Sequence, residues 1–173
     1  TGTNGKTTTA FLLAQASDLL GRRGWYVGTL GHGHPGDVRE AGLTTPDAVT
    51  VQRRLAEARD AGAATLGLEV SSHALDQDRV AGVRFDTAVF TNLTRDHLDY
   101  HGTIEAYGAA KSRLFHTADL RCAVVNVRDP FGRELVERLD PTLEKNVYTT
   151  ANDVWAERGT GWIRVSERRA PAA

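Results

Sequence analysis

Thr1-Gly2-Thr3-Asn4-Gly5-Lys6-Thr7-Thr8-Thr9 reads as the second half of a phosphate-binding loop running into the first turn of a helix. Such a loop hangs off the end of a buried strand, so it commits the chain to strand–loop–helix units. Gly2 and Gly5 let the backbone close around phosphate oxygens where a Cβ would collide. The helix behind them aims unpaired N–H groups and its positive end at the anion. Lys6 supplies a mobile cation for the β- and γ-phosphates, and Thr7 a hydroxyl for Mg²⁺. The plainer alternative is a Gly-rich turn before a helix, and the Gly-Lys-Thr-Thr run speaks against it. The supporting strand and the first Gly of the usual pattern would precede Thr1, so the expectation is a piece of a longer polypeptide.

At 173 residues the chain suits one hydrophobic core and is short for a multi-domain enzyme. A net charge of −1 implies no nucleic-acid partner. The apolar runs fall short of a membrane span. The single cysteine, Cys122, reads as a small core residue in a strand, which suits an intracellular, reducing compartment.

Helical and strand patterns alternate. Apolar spacing predicts helices over Thr7–Leu20, Ile104–Phe115 and Phe131–Leu139. Another helix should begin at Thr45 as cap, with Pro46 at its first position. Strands are predicted over Trp25–Leu30, Ala63–Val70, Phe85–Thr91, Arg121–Val127 and Val147–Thr149, and a loop over Gly31–Gly36. Residues 1–150 thus predict an α/β fold of the P-loop NTPase kind, a mostly parallel sheet with helices on both faces. Residues 151–173 read as a continuation or an irregular tail. Ligands of such sheets bind at the carboxyl ends of the strands, where the polar clusters Glu69–His73 and Thr91–His97 fall.

Glu69 ends an apolar strand and could hold Mg²⁺ beside the loop; the alternative is an exposed strand-end carboxylate. His97 and His101 are four apart, but the turn formers around them argue against a helical zinc pair. Lys111 reads equally as a solvated helix lysine. Thr44 and Thr45 read equally as a cap, and Gln77 and Arg79 as surface residues.

Five ordered segments together resemble the Mur ligases, the ATP-dependent amide-forming enzymes of peptidoglycan synthesis. They are Gly2–Thr8 (Gly-Thr-Asn-Gly-Lys-Thr-Thr), Thr44–Pro46 (Thr-Thr-Pro), Glu69–Val80 (Glu-Val-Ser-Ser-His-Ala-Leu-Asp-Gln-Asp-Arg-Val), Thr91–Gly102 (Thr-Asn-Leu-Thr-Arg-Asp-His-Leu-Asp-Tyr-His-Gly) and Tyr107–Lys111 (Tyr-Gly-Ala-Ala-Lys). The resemblance is to the branch that adds the third amino acid, and it covers roughly four fifths of the chain. It implies part of a central ATPase domain. The uridine-binding N-terminal domain and the amino-acid-binding C-terminal domain would lie outside.

The resemblance also implies roles. Gly2, Thr3, Asn4, Gly5, Lys6, Thr7 and Thr8 would hold ATP phosphates, and Asn126 would lie near adenine. The family more often has an acid where Arg128 stands. Thr7 and Glu69 would hold one Mg²⁺; His97 and Lys111 would serve a second, Lys111 as a CO₂-derived carbamate. A lysine cation cannot ligate Mg²⁺, whereas a carbamate is an anionic oxygen ligand. Thr44, Thr45, Ser71, Gln77 and Arg79 would hold the UDP-MurNAc-dipeptide. The implied catalytic set is Lys6, Glu69, His97 and Lys111. The implied reaction adds a diamino acid, meso-diaminopimelate or L-lysine, to UDP-MurNAc-L-Ala-D-Glu through an acyl phosphate, in a monomeric cytoplasmic bacterial enzyme.

Folylpolyglutamate synthetase is the nearest alternative. It typically carries Gly-Lys-Gly-Ser in its loop and lacks the Ser-Ser-His…Gln-x-Arg set. A GTPase would need Asn-Lys-x-Asp, which is absent. The non-enzyme alternative is a nucleotide-binding module that does not turn over by itself.

Overall fold

The computed structural model describes residues 1–40 and 42–149. The expectation for residues 151–173 lies outside them.

The first helix, α1 (Lys6–Leu19), starts at the loop, where Gly5 adopts φ 80°. It is followed by strand β1 (Gly24–Gly28) and a hairpin of β2 (Gly31–His34) and β3 (Asp37–Arg39). Then come α2 (Ala48–Asp60), β4 (Thr65–Leu68), the short α3 (Ser72–Asp76) and β5 (Thr87–Phe90). The remainder is α4 (Leu98–His101), α5 (Ile104–Ser112) with a 3₁₀ turn at Arg113–His116, β6 (Cys122–Asn126), α6 (Pro130–Arg138) and β7 (Glu144–Tyr148).

The fold is α/β, as the alternation predicts. The strands form two sheets, in the orders β3-β2-β1-β4 and β5-β6-β7. Pairing is parallel between β1 and β4, β5 and β6, and β6 and β7. Among the described residues only the β2–β3 hairpin is antiparallel, within itself and to β1. In the first sheet α1 covers the face of Tyr26, where Phe11 meets the Tyr26 ring edge-on at 5.3 Å. On the other face, His32 of β2 approaches Glu57 of α2. The second sheet carries the main core, with Phe90, Ala123 and Val125 fully buried among Val70, Leu114, Phe115 and Leu135.

Among the described residues the two sheets do not pair with each other. Between β4 and β5 lies a cavity of about 260 Å³, lined by Leu66, Leu68, Val89, Leu114 and the start of the chain. Residues 1–3 run along the β5 side of this seam. Thr1 N donates to Val89 O at 2.7 Å, Thr91 N to Thr1 O at 3.1 Å, and Thr3 N to Asn92 O at 2.8 Å.

Two expectations are corrected. Gly31–Gly36 is a hairpin and not a loop. Gly31 and Gly33 take φ 130° and 139°, and a Cβ on either would overlap a β3 carbonyl. The strand therefore needs the glycines that make its composition look like a loop. Thr45 does not cap α2; Asp47 does, its side chain accepting from Val49 N and Thr50 N. Cys122 lies in β6 as predicted, though half-buried.

Candidate functional site

The segments after β1, β4 and β5 meet at the loop before α1. Thr91 and Asn92 clamp that loop: Thr91 Oγ1 donates to Asn4 O at 2.6 Å, and Asn92 Oδ1 accepts from Asn4 N at 2.9 Å. Thr94 N donates to Thr3 Oγ1 at 2.9 Å. Gly2, at φ 149°, fits because a Cβ there would strike Thr91. Lys6 folds back on the loop, its Nζ donating to Gly2 O at 2.9 Å and Thr3 O at 2.8 Å. Burial lowers its pKa, with the charges of Glu69 and Asp96 opposing. Thr8 faces solvent on the first turn.

Glu69 is not an exposed strand end; it is 1 % exposed. Its Oε2 accepts from Thr7 Oγ1 at 2.9 Å. Its Oε1 accepts from Thr29 N at 2.9 Å and from the Tyr26 hydroxyl. The loop hydroxyl and the carboxylate are hard oxygen donors facing each other, a pair of the kind Mg²⁺ takes.

Lys111 is not solvated either. It is 1 % exposed, its Nζ donating to Gly2 O at 3.0 Å and lying 4.1 Å from the centre of the Tyr107 ring. Burial first, and the Lys6 charge second, push its pKa down from 10.5 to about 7. A large neutral fraction near neutral pH is what reaction with CO₂ requires, so the residue fits the carbamate. The sign has a consequence for stability. Between pH 7 and 10.5 the unfolded chain binds a proton at Lys111 that the folded chain does not. The penalty for burying the charge is full below that window and gone above it. Lys111→Met should therefore gain stability over the wild type at low pH. That gain should shrink by up to about 1.4 kcal/mol per pH unit as pH rises through the window, measured by urea unfolding in CO₂-free, metal-free buffer.

His97 also approaches the Tyr107 ring, edge-on at 5.9 Å between centroids. It caps α4 in the left-handed region, φ 51°, with Nε2 3.5 Å from Asp96 Oδ2. His101 also packs on that ring, 5.2 Å between centroids, with its Nε2 3.0 Å from Ser72 Oγ. Among the described residues no group of three or more His, Cys, Asp or Glu could hold a metal ion on its own.

A second chain of polar residues runs from Glu69. Thr29 Oγ1 lies 3.0 Å from Thr44 Oγ1. The buried Thr45 donates to Glu69 O at 2.8 Å and accepts from Ser71 N at 3.0 Å. Ser71 Oγ caps α3 by accepting from Ala74 N. Arg79 donates from Nη1 to Thr45 O and from Nε to Gln77 Oε1, both at 2.9 Å. Gln77 Nε2 donates to the Tyr100 hydroxyl at 3.1 Å. Asn126 is engaged within the fold: its Nδ2 donates to Thr91 O at 2.7 Å and its Oδ1 accepts from Arg128 N at 3.0 Å. Sequence reading passed over Tyr26, Thr29, Asp96 and Tyr107. A tyrosine in an otherwise apolar strand was the available signal for the first.

Loop, helix and strand-end carboxylate together have the arrangement of a P-loop NTPase-like domain. Residues 1–167 match the Mur ligase middle domain, and the chain belongs to the Mur ligase family. It is 60% identical over 138 residues to a UDP-N-acetylmuramoyl-L-alanyl-D-glutamate–2,6-diaminopimelate ligase of Ectopseudomonas mendocina (strain ymp), a match covering 80% of this chain and 28% of that protein. The ligase of the same name from Neisseria meningitidis serogroup B is 59% identical over 138 residues, again covering 80% and 28%. A solved structure of such a ligase superposes with a TM-score of 0.79 at 38% identity, covering 87% of this chain and 31% of that one. The chain thus spans less than a third of the length of these relatives.

Proposed function

We propose that the polypeptide carrying this chain is an ATP-dependent ligase that joins 2,6-diaminopimelate to UDP-MurNAc-L-Ala-D-Glu in peptidoglycan synthesis. This chain would be its nucleotide-binding part. The observation that carries the reading beyond a generic P-loop protein is Lys111. A buried lysine, contacting a loop carbonyl and an aromatic ring, suits a modified residue at a phosphoryl-transfer site.

In this reading the loop N–H groups and Lys6 bind the ATP phosphates and hold the γ-phosphoryl group in place. Thr44, Thr45, Ser71, Gln77 and Arg79 orient the nucleotide-linked dipeptide, Arg79 offering paired N–H donors to its carboxylate or phosphates. The substrate's terminal carboxylate attacks the γ-phosphorus, giving an acyl phosphate and ADP. The amine of the diamino acid then attacks the acyl carbon, and inorganic phosphate leaves. Thr7 and Glu69 would hold one Mg²⁺, and His97 with carbamylated Lys111 a second. Bound there, Mg²⁺ neutralises charge on the transferring group.

The test is phosphate release by the full-length polypeptide, given Mg-ATP, UDP-MurNAc-L-Ala-D-Glu and either meso-diaminopimelate or L-lysine. Release with diaminopimelate supports the reading. Release with lysine alone corrects the acceptor. Release with neither, despite ATP binding, leaves a nucleotide-binding module of this family and sinks the proposal.

A further inference from the structure

Tyr26 is fully buried on the β1 face that α1 covers. A phenylalanine would pack against Phe11 as well, so the hydroxyl requires a separate reason. That hydroxyl donates to Glu69 Oε1 and accepts from Leu30 N at 3.2 Å. Thr29 N also donates to Oε1, at 2.9 Å. One carboxylate oxygen is thereby saturated from β1 and the turn after it. The other, Oε2, points to Thr7 on the phosphate loop, with a longer contact to Thr29 Oγ1 at 3.3 Å. Gly28 makes the arrangement fit, because a Cβ there would strike both Glu69 Oε1 and the Tyr26 hydroxyl.

We propose that Tyr26 is a positioning residue for the nucleotide-bound metal: its hydroxyl pins Glu69 Oε1, so Glu69 presents Oε2 alone to the cation. The inference rests on the reading of Glu69 as a Mg²⁺ ligand. The physical case is that a carboxylate free to rotate offers two oxygens in several geometries, and each ordering step lowers affinity. A carboxylate held by a buried hydroxyl and a backbone N–H is ordered before the metal arrives. Buried hydroxyls and carboxylates need partners in any event, and here each is the other's partner. Metal affinity and the packing of β1 are thereby joined.

The test uses Tyr26→Phe and Glu69→Gln in the full-length polypeptide. Mn²⁺ binding is followed by electron paramagnetic resonance, with a non-hydrolysable ATP analogue present. Tyr26→Phe should raise the Mn²⁺ dissociation constant about tenfold. Excess Mg²⁺ should restore its kcat to within about twofold of the wild type, which a packing defect would not do. Glu69→Gln should weaken Mn²⁺ binding more than Tyr26→Phe does. If Glu69→Gln loses affinity and Tyr26→Phe binds as the wild type, the inference is overturned and the proposed function stands. If neither variant changes Mn²⁺ binding, Glu69 is not a ligand, and the inference falls with that role of Glu69. A Tyr26→Phe defect that persists at saturating Mg²⁺ with unchanged Mn²⁺ affinity also overturns the inference.

Discussion

Lys111→Ala in the full-length polypeptide should lower amide-forming kcat by about 10³-fold, with ATP affinity changed by no more than a few fold. The asymmetry follows from what Lys111 touches. Its Nζ reaches the carbonyl of Gly2 and the ring of Tyr107, whereas the loop N–H groups and Lys6 that would grip phosphate belong to other residues. Burial pushes the pKa of the amine down to about 7, and in the proposed function this amine carries the carbamate. Deleting it should remove an anionic oxygen ligand at the reacting end and leave the loop in place. Short carboxylates added to the variant should return part of the activity by entering the space the side chain leaves. Wild-type turnover by Lys111→Ala without additives would mean that the buried lysine is only structural. Loss of ATP binding in step with kcat would point to a collapsed loop.

Gly67→Val should destabilise the folded protein by roughly 3 kcal/mol and abolish nucleotide binding in whatever fraction remains folded. Gly67 faces α1 in the middle of β4, and a Cβ there would overlap the Ala10 carbonyl. Gly24 meets the Ala14 carbonyl one turn further along the helix in the same manner. These two glycines let the helix backbone lie directly on the strands, and the position of α1 sets where its N-terminal N–H groups point. A valine must therefore push the phosphate loop away from Glu69 as it pushes the helix away from the sheet. Urea unfolding reads the stability, and fluorescent ATP-analogue titration reads the binding. A variant with unchanged unfolding midpoint and affinity would show that α1 can slide without cost.

Much of the framework was legible because its signals are local. α1 begins one residue before the predicted Thr7, since the Gly-Lys-Thr-Thr run fixes its first turn. β4, β5 and β6 lie inside the predicted runs, whose strand residues apart from Thr87 are buried or half-buried. The misses share a cause: long-range contact overrides local pattern. Thr45 looks like a cap, but Glu69 O and Ser71 N take its hydroxyl, so capping falls to Asp47. Gly31 and Gly33 look like a loop because the close approach of β3 is invisible in sequence. β7 begins at Glu144, before the predicted Val147, because pairing with β6 draws charged residues into the strand. The site residues were named by family pattern. That Glu69 and Lys111 are buried, and that Tyr26, Thr29 and Tyr107 support them, depends on segments up to 109 residues apart in the chain.

The meeting of the two sheets at the phosphate loop makes the spacing of their ends a thermodynamic partner of the nucleotide. Glu69 stands at the end of one sheet, Thr91 and Asn92 at the end of the other, and the phosphate loop bridges them. Holding these groups at one spacing and binding phosphate in the loop between them are therefore coupled. Reciprocity then demands that a bound nucleotide steady the spacing of the two sheet ends by the same factor. Amide exchange along β4 and β5 should accordingly slow when ATP binds, although no atom of the ligand need touch either strand.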